Sequence, residues 1–159
     1  MRSLHTYKKQ KGFTIVELLI VIVVIGILAT LVIVTFTGIQ RRARDTQRQT
    51  DINAIQSHVE AFYAEHGYYP TTVDLQDSTF LTTNMKGLKA EALLAPNSTA
   101  QIDDAAATVS KYSFVASATG TGTCDNTAAS DDTTNSGCDT YVLEAVLEAD
   151  GSTYSKTSD

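Results

Sequence analysis

One carboxylate and two thiols are the residues whose placement calls for chemistry. Glu17 stands at the head of Leu18 to Phe36, a run of nineteen residues without a charge. A carboxylate near the end of a membrane-length helix costs less than one at its centre, where insertion costs roughly 2.5–3.5 kcal/mol, but it still calls for a partner. No basic residue lies within the run, and Lys11 lies on its leader side. Two readings stand. Either an amine from another chain, or one made by cleavage of the leader, meets the carboxylate, or the side chain snorkels into the headgroups. Cys124 and Cys138 bracket a segment in which 17 of the 21 residues from Gly120 to Thr140 are Thr, Ser, Gly, Asp or Asn. Such a segment cannot hold itself by burial. A disulfide closing it contributes on the order of 3 kcal/mol, and the loop's composition favours an outside location where bridges persist. Two unpaired thiols in a reducing compartment are the alternative.

Other chemistries find no support. The chain has no Gly-rich phosphate loop, no G-x-S-x-G, no H-E-x-x-H and no C-x-x-C. His5, His58 and His66 are too scattered for zinc, and His58 and His66 read as surface residues of a helix. Asp125, Asp131, Asp132 and Asp139 lack the EF-hand spacing and read as solvated acids. No enzyme activity, cofactor or metal is expected. Two cysteines exclude a disulfide-dense scaffold and a four-cysteine zinc site.

The elements that place these residues follow from a split in the composition. The chain has 159 residues and a net charge of −6, which suits one domain and argues against a general nucleic-acid binder. With 19% charged residues it is no multi-span membrane protein. Residues 1–48 hold eight Lys or Arg against Glu17 and Asp45, a balance of +6, while the remainder sums to −12. The uncharged run is long enough for a transmembrane helix. A buried core helix rarely stays apolar on every face for that length. A removed secretory signal has a shorter apolar region and a small-residue cleavage site, whereas this run ends in Thr35-Phe36-Thr37 and leads into Arg41-Arg42-Ala43-Arg44.

The stretch Lys9-Gln10-Lys11-Gly12-Phe13-Thr14-Ile15-Val16-Glu17-Leu18-Leu19-Ile20-Val21 resembles the class III signal of type IV prepilins and type II secretion pseudopilins. A short basic leader ends in Gly, Phe follows, Glu stands four residues on, and a long apolar helix begins. The resemblance reaches to about Pro70. It implies a pilin fold, cleavage between Gly12 and Phe13 by a membrane prepilin peptidase, and N-methylation of Phe13. It also implies that Glu17 meets the Phe13 amine of a neighbouring subunit in a filament. The implied partners are other copies of the chain, the prepilin peptidase, a platform protein, assembly and retraction ATPases, minor pilins, and membrane lipid before assembly. The chain departs from many pilins in having no proline in the apolar helix, where Leu31-Val32-Ile33-Val34 stands instead.

The expected organisation is an α+β pilin fold. Residues 1–12 are a cleaved basic leader, 13–37 a transmembrane and filament-core helix, 38–66 its amphipathic continuation, and 67–159 a globular head. Helix is expected from Phe13 or Thr14 onward, with Ile52, Ile55, Val59, Phe62 and Tyr63 at helical spacing. Gly67 and Pro70 supply the stop. A break near Thr37-Gly38 is the alternative. Leu75, Phe80, Leu81, Met85, Leu88, Leu93 and Leu94 are expected in one or two short helices or turns. Alternation predicts strands over 112–118 and 141–148, and Asp150-Gly151 a hairpin turn before a third strand at 152–156. Four basic residues flank each end of the apolar run, so charge bias does not orient it. The cysteines and the acidic Thr-rich tail place the head outside. Arg41, Arg42, Arg44 and Arg48 then meet acids such as Asp45, Asp51 or Glu60 on neighbouring helices, or lie solvated. Three functions remain: a type IV pilus-like subunit, a type II secretion pseudopilin, or a monomeric membrane-anchored binding module.

Overall fold

Helix α1 runs unbroken from Ile15 to His66. It belongs to a computed structural model that describes residues 12–118, 124 and 137–158. The leader residues 1–11 and the loop acids Asp125, Asp131 and Asp132 lie outside the described residues. No break occurs at Thr37-Gly38. The helix ends at Gly67, whose φ of +79° is a left-handed conformation that glycine adopts without a Cβ penalty. Its amide donates to the Tyr63 carbonyl at 2.7 Å.

The chain divides into two compact units, one through Ile39 and one from Gln40. In the first, the apolar side chains are exposed, Phe13 at 80% and Ile22 at 66% among them. By length and composition this helix can cross a membrane. The second unit has a single core. On α1, Ile52, Ile55, Val59 and Phe62 are buried at three- and four-residue steps. They pack with residues of an antiparallel sheet, β1 (Ser113–Ser117), β2 (Thr140–Val146) and β3 (Thr153–Thr157), in the order β1-β2-β3. The register sets Phe114 opposite Leu143 and Ala145 opposite Tyr154. On β2, Tyr141, Leu143 and Ala145 are buried and alternate with more exposed neighbours, as a half-buried strand requires. Two short helices, α2 (Thr72–Gln76) and α3 (Ser78–Asn84), and a 3₁₀ turn (Ala90–Leu93) add Leu75, Leu81 and Leu93 to the core.

The buried stripe of α1 begins with charged residues. Asp45 and Arg48 are 6% and 2% exposed and continue the spacing that leads to Ile52. Asp45 accepts from the Glu148 and Ala149 amides at 2.7 and 2.9 Å, and from Arg48 Nη1 at 2.8 Å. Arg48 Nη2 donates to the Val109 carbonyl at 2.7 Å. Arg44 forks onto Glu148, Nε to Oε2 at 2.7 Å and Nη2 to Oε1 at 2.6 Å. The helix is thus fastened to the turn after β2 by charge-assisted bonds, the stronger class of hydrogen bond. The fork holds the Glu148 carboxyl below its usual value of 4.5, opposed by desolvation and helped by the charges of Arg44, Arg48 and Arg41.

Three outcomes follow for stability. Ile55→Ala, at a fully buried site, is expected to cost about 2–5 kcal/mol, whereas Val73→Ala, at a site 73% exposed, stays within about 0.5 kcal/mol; urea unfolding of the detergent-solubilised chain measures both. Asp45→Ala leaves buried Arg48 with Glu148, 3.6 Å away, as its remaining acid and strips two backbone amides of their acceptor, and should cost about 3–5 kcal/mol by the same measurement. Glu148 has its folded pKa below its unfolded one, so its contribution is complete above the unfolded value and is lost as pH falls through the folded one. Glu148→Gln should therefore flatten the fall in Tm between about pH 5 and pH 3.

Candidate functional site

The start of α1 is built by four residues. Thr14 precedes the helix, and its backbone amide and hydroxyl donate to Glu17 Oε2 at 2.8 and 2.7 Å. The Glu17 amide donates back to Thr14 Oγ1 at 3.2 Å. This reciprocal pair is a capping box, which satisfies two of the donors a helix start leaves unpaired. Glu17 therefore has partners within its own helix, and they are not basic groups. The signal is the Thr-x-x-Glu spacing of Thr14-Ile15-Val16-Glu17, which sequence reasoning passed over. Thr71 and Asp74 form the same box at α2. Gly12 and Phe13 lie outside the helix, and a Cβ at Gly12 meets nothing within 4 Å. The bond between them is unencumbered by other described residues.

The arginines divide. Arg44 and Arg48 are engaged in the head through Glu148, Asp45 and Val109, so they do not lie solvated. Arg41 is 58% exposed, 3.9 Å from Glu148, and Arg42 is exposed. The acids expected to meet arginines on neighbouring helices are also engaged. Asp45 takes Arg48 of its own chain. Asp51 accepts from the Tyr112 hydroxyl at 2.9 Å. Glu60 accepts from Tyr141 at 2.7 Å and Tyr69 at 3.1 Å, one on each oxygen. Burial pushes the Asp51 carboxyl up, opposed by the Tyr112 bond. Burial, then the neighbouring carboxylates, pushes the Tyr112 and Tyr141 hydroxyls far up, so both stay protonated donors.

Cys124 and Cys138 are joined as a disulfide with Cα atoms 5.0 Å apart. The Cys138 carbonyl accepts from the Tyr69 amide at 2.7 Å, so the end of the bracketed loop is fastened just beyond α1. A Cβ at Gly137 would lie 2.7 Å from the Tyr68 Cβ, so only glycine fits there. On the helix surface, His58 is half-buried with Nδ1 3.0 Å from the Ala54 carbonyl, while exposed His66 lies against the Phe62 ring at 4.2 Å. Among the described residues no three His, Cys, Asp or Glu side chains converge as a metal site requires.

Comparison with known proteins bears on the N-terminal geometry. The family described as "Prokaryotic N-terminal methylation motif" matches residues 7–33, which contain Gly12, Phe13 and Glu17. The chain is 38% identical over 64 residues to the "Type II secretion system core protein G" of Escherichia coli (strain K12), covering 40% of this chain and 44% of that protein. It is 35% identical over 65 residues to the protein of the same name from Dickeya chrysanthemi, covering 41% and 42%. It is 33% identical over 69 residues to the "Type IV major pilin protein PilA" of Myxococcus xanthus (strain DK1622), covering 43% and 31%. The chain thus spans less than half the length of these relatives. No solved structure matches. The apolar helix and the motif together mark a membrane-anchored chain. A long N-terminal helix, a small antiparallel sheet and the methylation motif at its start agree in one conclusion: this chain has the pilin type of α+β fold and is similar to type IV pilins and type II secretion pseudopilins.

Proposed function

We propose that this chain is the precursor of a structural subunit of a type IV pilus-like filament. Prepilin peptidase cuts after Gly12, Phe13 is N-methylated, and the helix that lay in lipid becomes the filament core. The observation that carries this reading is the Gly12-Phe13 bond within a matched methylation motif, directly ahead of Glu17 and a helix with exposed apolar side chains on every side. The leader is cytoplasmic and the head lies outside, where the Cys124–Cys138 bridge persists. Other copies of the chain, minor pilins, a platform protein and the assembly ATPases are the partners this function requires. A second reading, a pseudopilin of a type II secretion system, is favoured by the Escherichia coli and Dickeya relatives. It differs in machinery rather than in subunit chemistry. Neighbouring genes for retraction or for outer-membrane secretion separate the two.

Glu17 has two tasks in this proposal. Within its helix it closes the Thr14 box, and in the filament it meets the Phe13 amine of the next subunit. Glutamine at the third helical position also closes a capping box but carries no charge. Two experiments test the proposal. Intact mass and N-terminal sequencing should show a mature chain beginning at methylated Phe13; a retained leader overturns the reading and leaves a membrane-anchored binding module. Glu17→Gln should be processed normally yet yield about tenfold fewer sheared filaments, since a charge-assisted contact is roughly twice as strong as a neutral one. Undiminished filaments from that variant would show that Glu17 serves the helix start alone.

A further inference from the structure

Two surfaces of the head are open to a partner, the first walled in part by residues that also belong to the core. The first is a pocket of about 330 Å³ whose walls include Leu81, Met85 and Leu88. Lys86 lines it, and Lys89 is exposed one residue beyond Leu88. Only four basic residues follow Arg48 in the sequence. Lys111 pairs with Asp103 at 2.8 Å, and Lys156 lies over the Tyr154 ring at 5.6 Å. Lys86 and Lys89 make no ion pair among the described residues.

The second surface is a valine patch. Val115 and Val142 are cross-strand partners on the outer face of the sheet, 37% and 40% exposed. Val73 is 73% exposed and shares a depression with Val115 and Asp104. Glu144 follows Val142 by two residues and so lies on the same outer face. Asp104 and Glu144 make no ion pair among the described residues either. The two surfaces point different ways. Val73 and Leu75 are two positions apart on α2, about 200° around a helix, and Leu75 is buried on the side that holds Leu81 and Leu93.

Given the filament reading, we infer that the valine patch of one subunit, with Asp104 and Glu144 at its rim, docks on the Lys86-lined pocket of a second copy, with exposed Lys89 adjacent in the chain. An apolar centre within a charged rim is the ordinary anatomy of an interface. Two unlike, complementary faces on one molecule form a heterologous contact, which propagates instead of closing into a dimer. Charge argues for the same occupant. The chain beyond Arg48 sums to −12, so neighbouring heads repel except where free lysines meet acids. This contact orients the head of each subunit on the next, a task the apolar helix cannot perform alone.

A charge-swap cycle in the full chain, expressed in its host, tests the contact. K86E/K89E and D104K/E144K should each lower the yield of sheared filaments by about tenfold or more, because like charges juxtaposed across an interface repel. The quadruple variant should return to within about threefold of wild type, and K86R/K89R should match wild type. Processing to Phe13 and the oxidised state of Cys124 and Cys138 confirm that each variant reaches the membrane folded. Filaments unaffected by either reversal overturn the contact alone, as does loss in both without recovery in the quadruple variant. A wild-type chain that yields no filaments overturns the filament reading, and the contact with it.

Discussion

Three donors converge on one buried carboxylate, and the register of the helix in the head follows from them. Asp45 takes two consecutive amides of the turn after β2 and one nitrogen of Arg48. Arg48 spans from there to the Val109 carbonyl and leaves its Nε without a partner among the described residues. Such a pair adds little net stability, because desolvation offsets the attraction, but breaking it is costly. Its value is positional. Aliphatic side chains on the stripe from Ile52 to Phe62 tolerate some sliding along the sheet. A carboxylate that must accept two named amides does not. The tyrosine contacts repeat the device further along: Asp51 receives Tyr112, and Glu60 receives Tyr69 and Tyr141. Each of these hydroxyls is fixed on or beside the sheet, so α1 is pinned at three levels by directional bonds laid over a nondirectional core.

Glu17 obeys the same economy in different surroundings. A helix entering lipid has orphan amides at its start, and water is scarce there. The Thr14 hydroxyl and the Glu17 carboxylate satisfy one another and the local amides, so the acid is tolerated before any second chain arrives. In the proposed filament the new Phe13 amine offers a charged partner. Both Thr14 donors fall on Oε2 of Glu17, which leaves Oε1 for the amine. With the carboxylate shared in this way the box persists, and the helix start need not unwind.

Much of this was legible in the sequence. The three- and four-residue steps from Ile52 to Phe62 and the alternation of Tyr141, Leu143 and Ala145 gave the helix and the central strand their buried faces. Gly67 gave the end of α1, where its φ of +79° bears the expectation out. What escaped was polar. Asp45 and Arg48 occupy core positions of the apolar stripe, and residue type conceals what spacing reveals. Asp51 and Glu60 read as acids for arginines on neighbouring helices because Tyr112 and Tyr141, which they hold instead, lie 61 and 81 residues away, on or beside strands. The Thr14 box is written within four residues. It was hidden because Glu17 also opens an apolar run and reads as a charge in search of a counter-charge.

The driving force for the proposed assembly follows from what the helix leaves when it joins a filament. Lipid chains are as apolar as leucine, so moving Leu, Ile and Val side chains from bilayer to helix bundle gains no hydrophobic free energy of the kind released by leaving water. Packing among the helices supplies cohesion but little direction, since the run from Leu18 to Phe36 offers nearly the same surface all round. Direction must come from polar groups at the two ends of the apolar unit and from the heads. At one end stands Glu17, whose proposed contact with the Phe13 amine of the next subunit selects one axial step. Beyond the other stand Arg41 and Arg42, exposed where Arg44 and Arg48 are already engaged. In the proposed filament the apolar helix thus gathers the subunits, and the polar groups at its ends and on the heads decide how they stack.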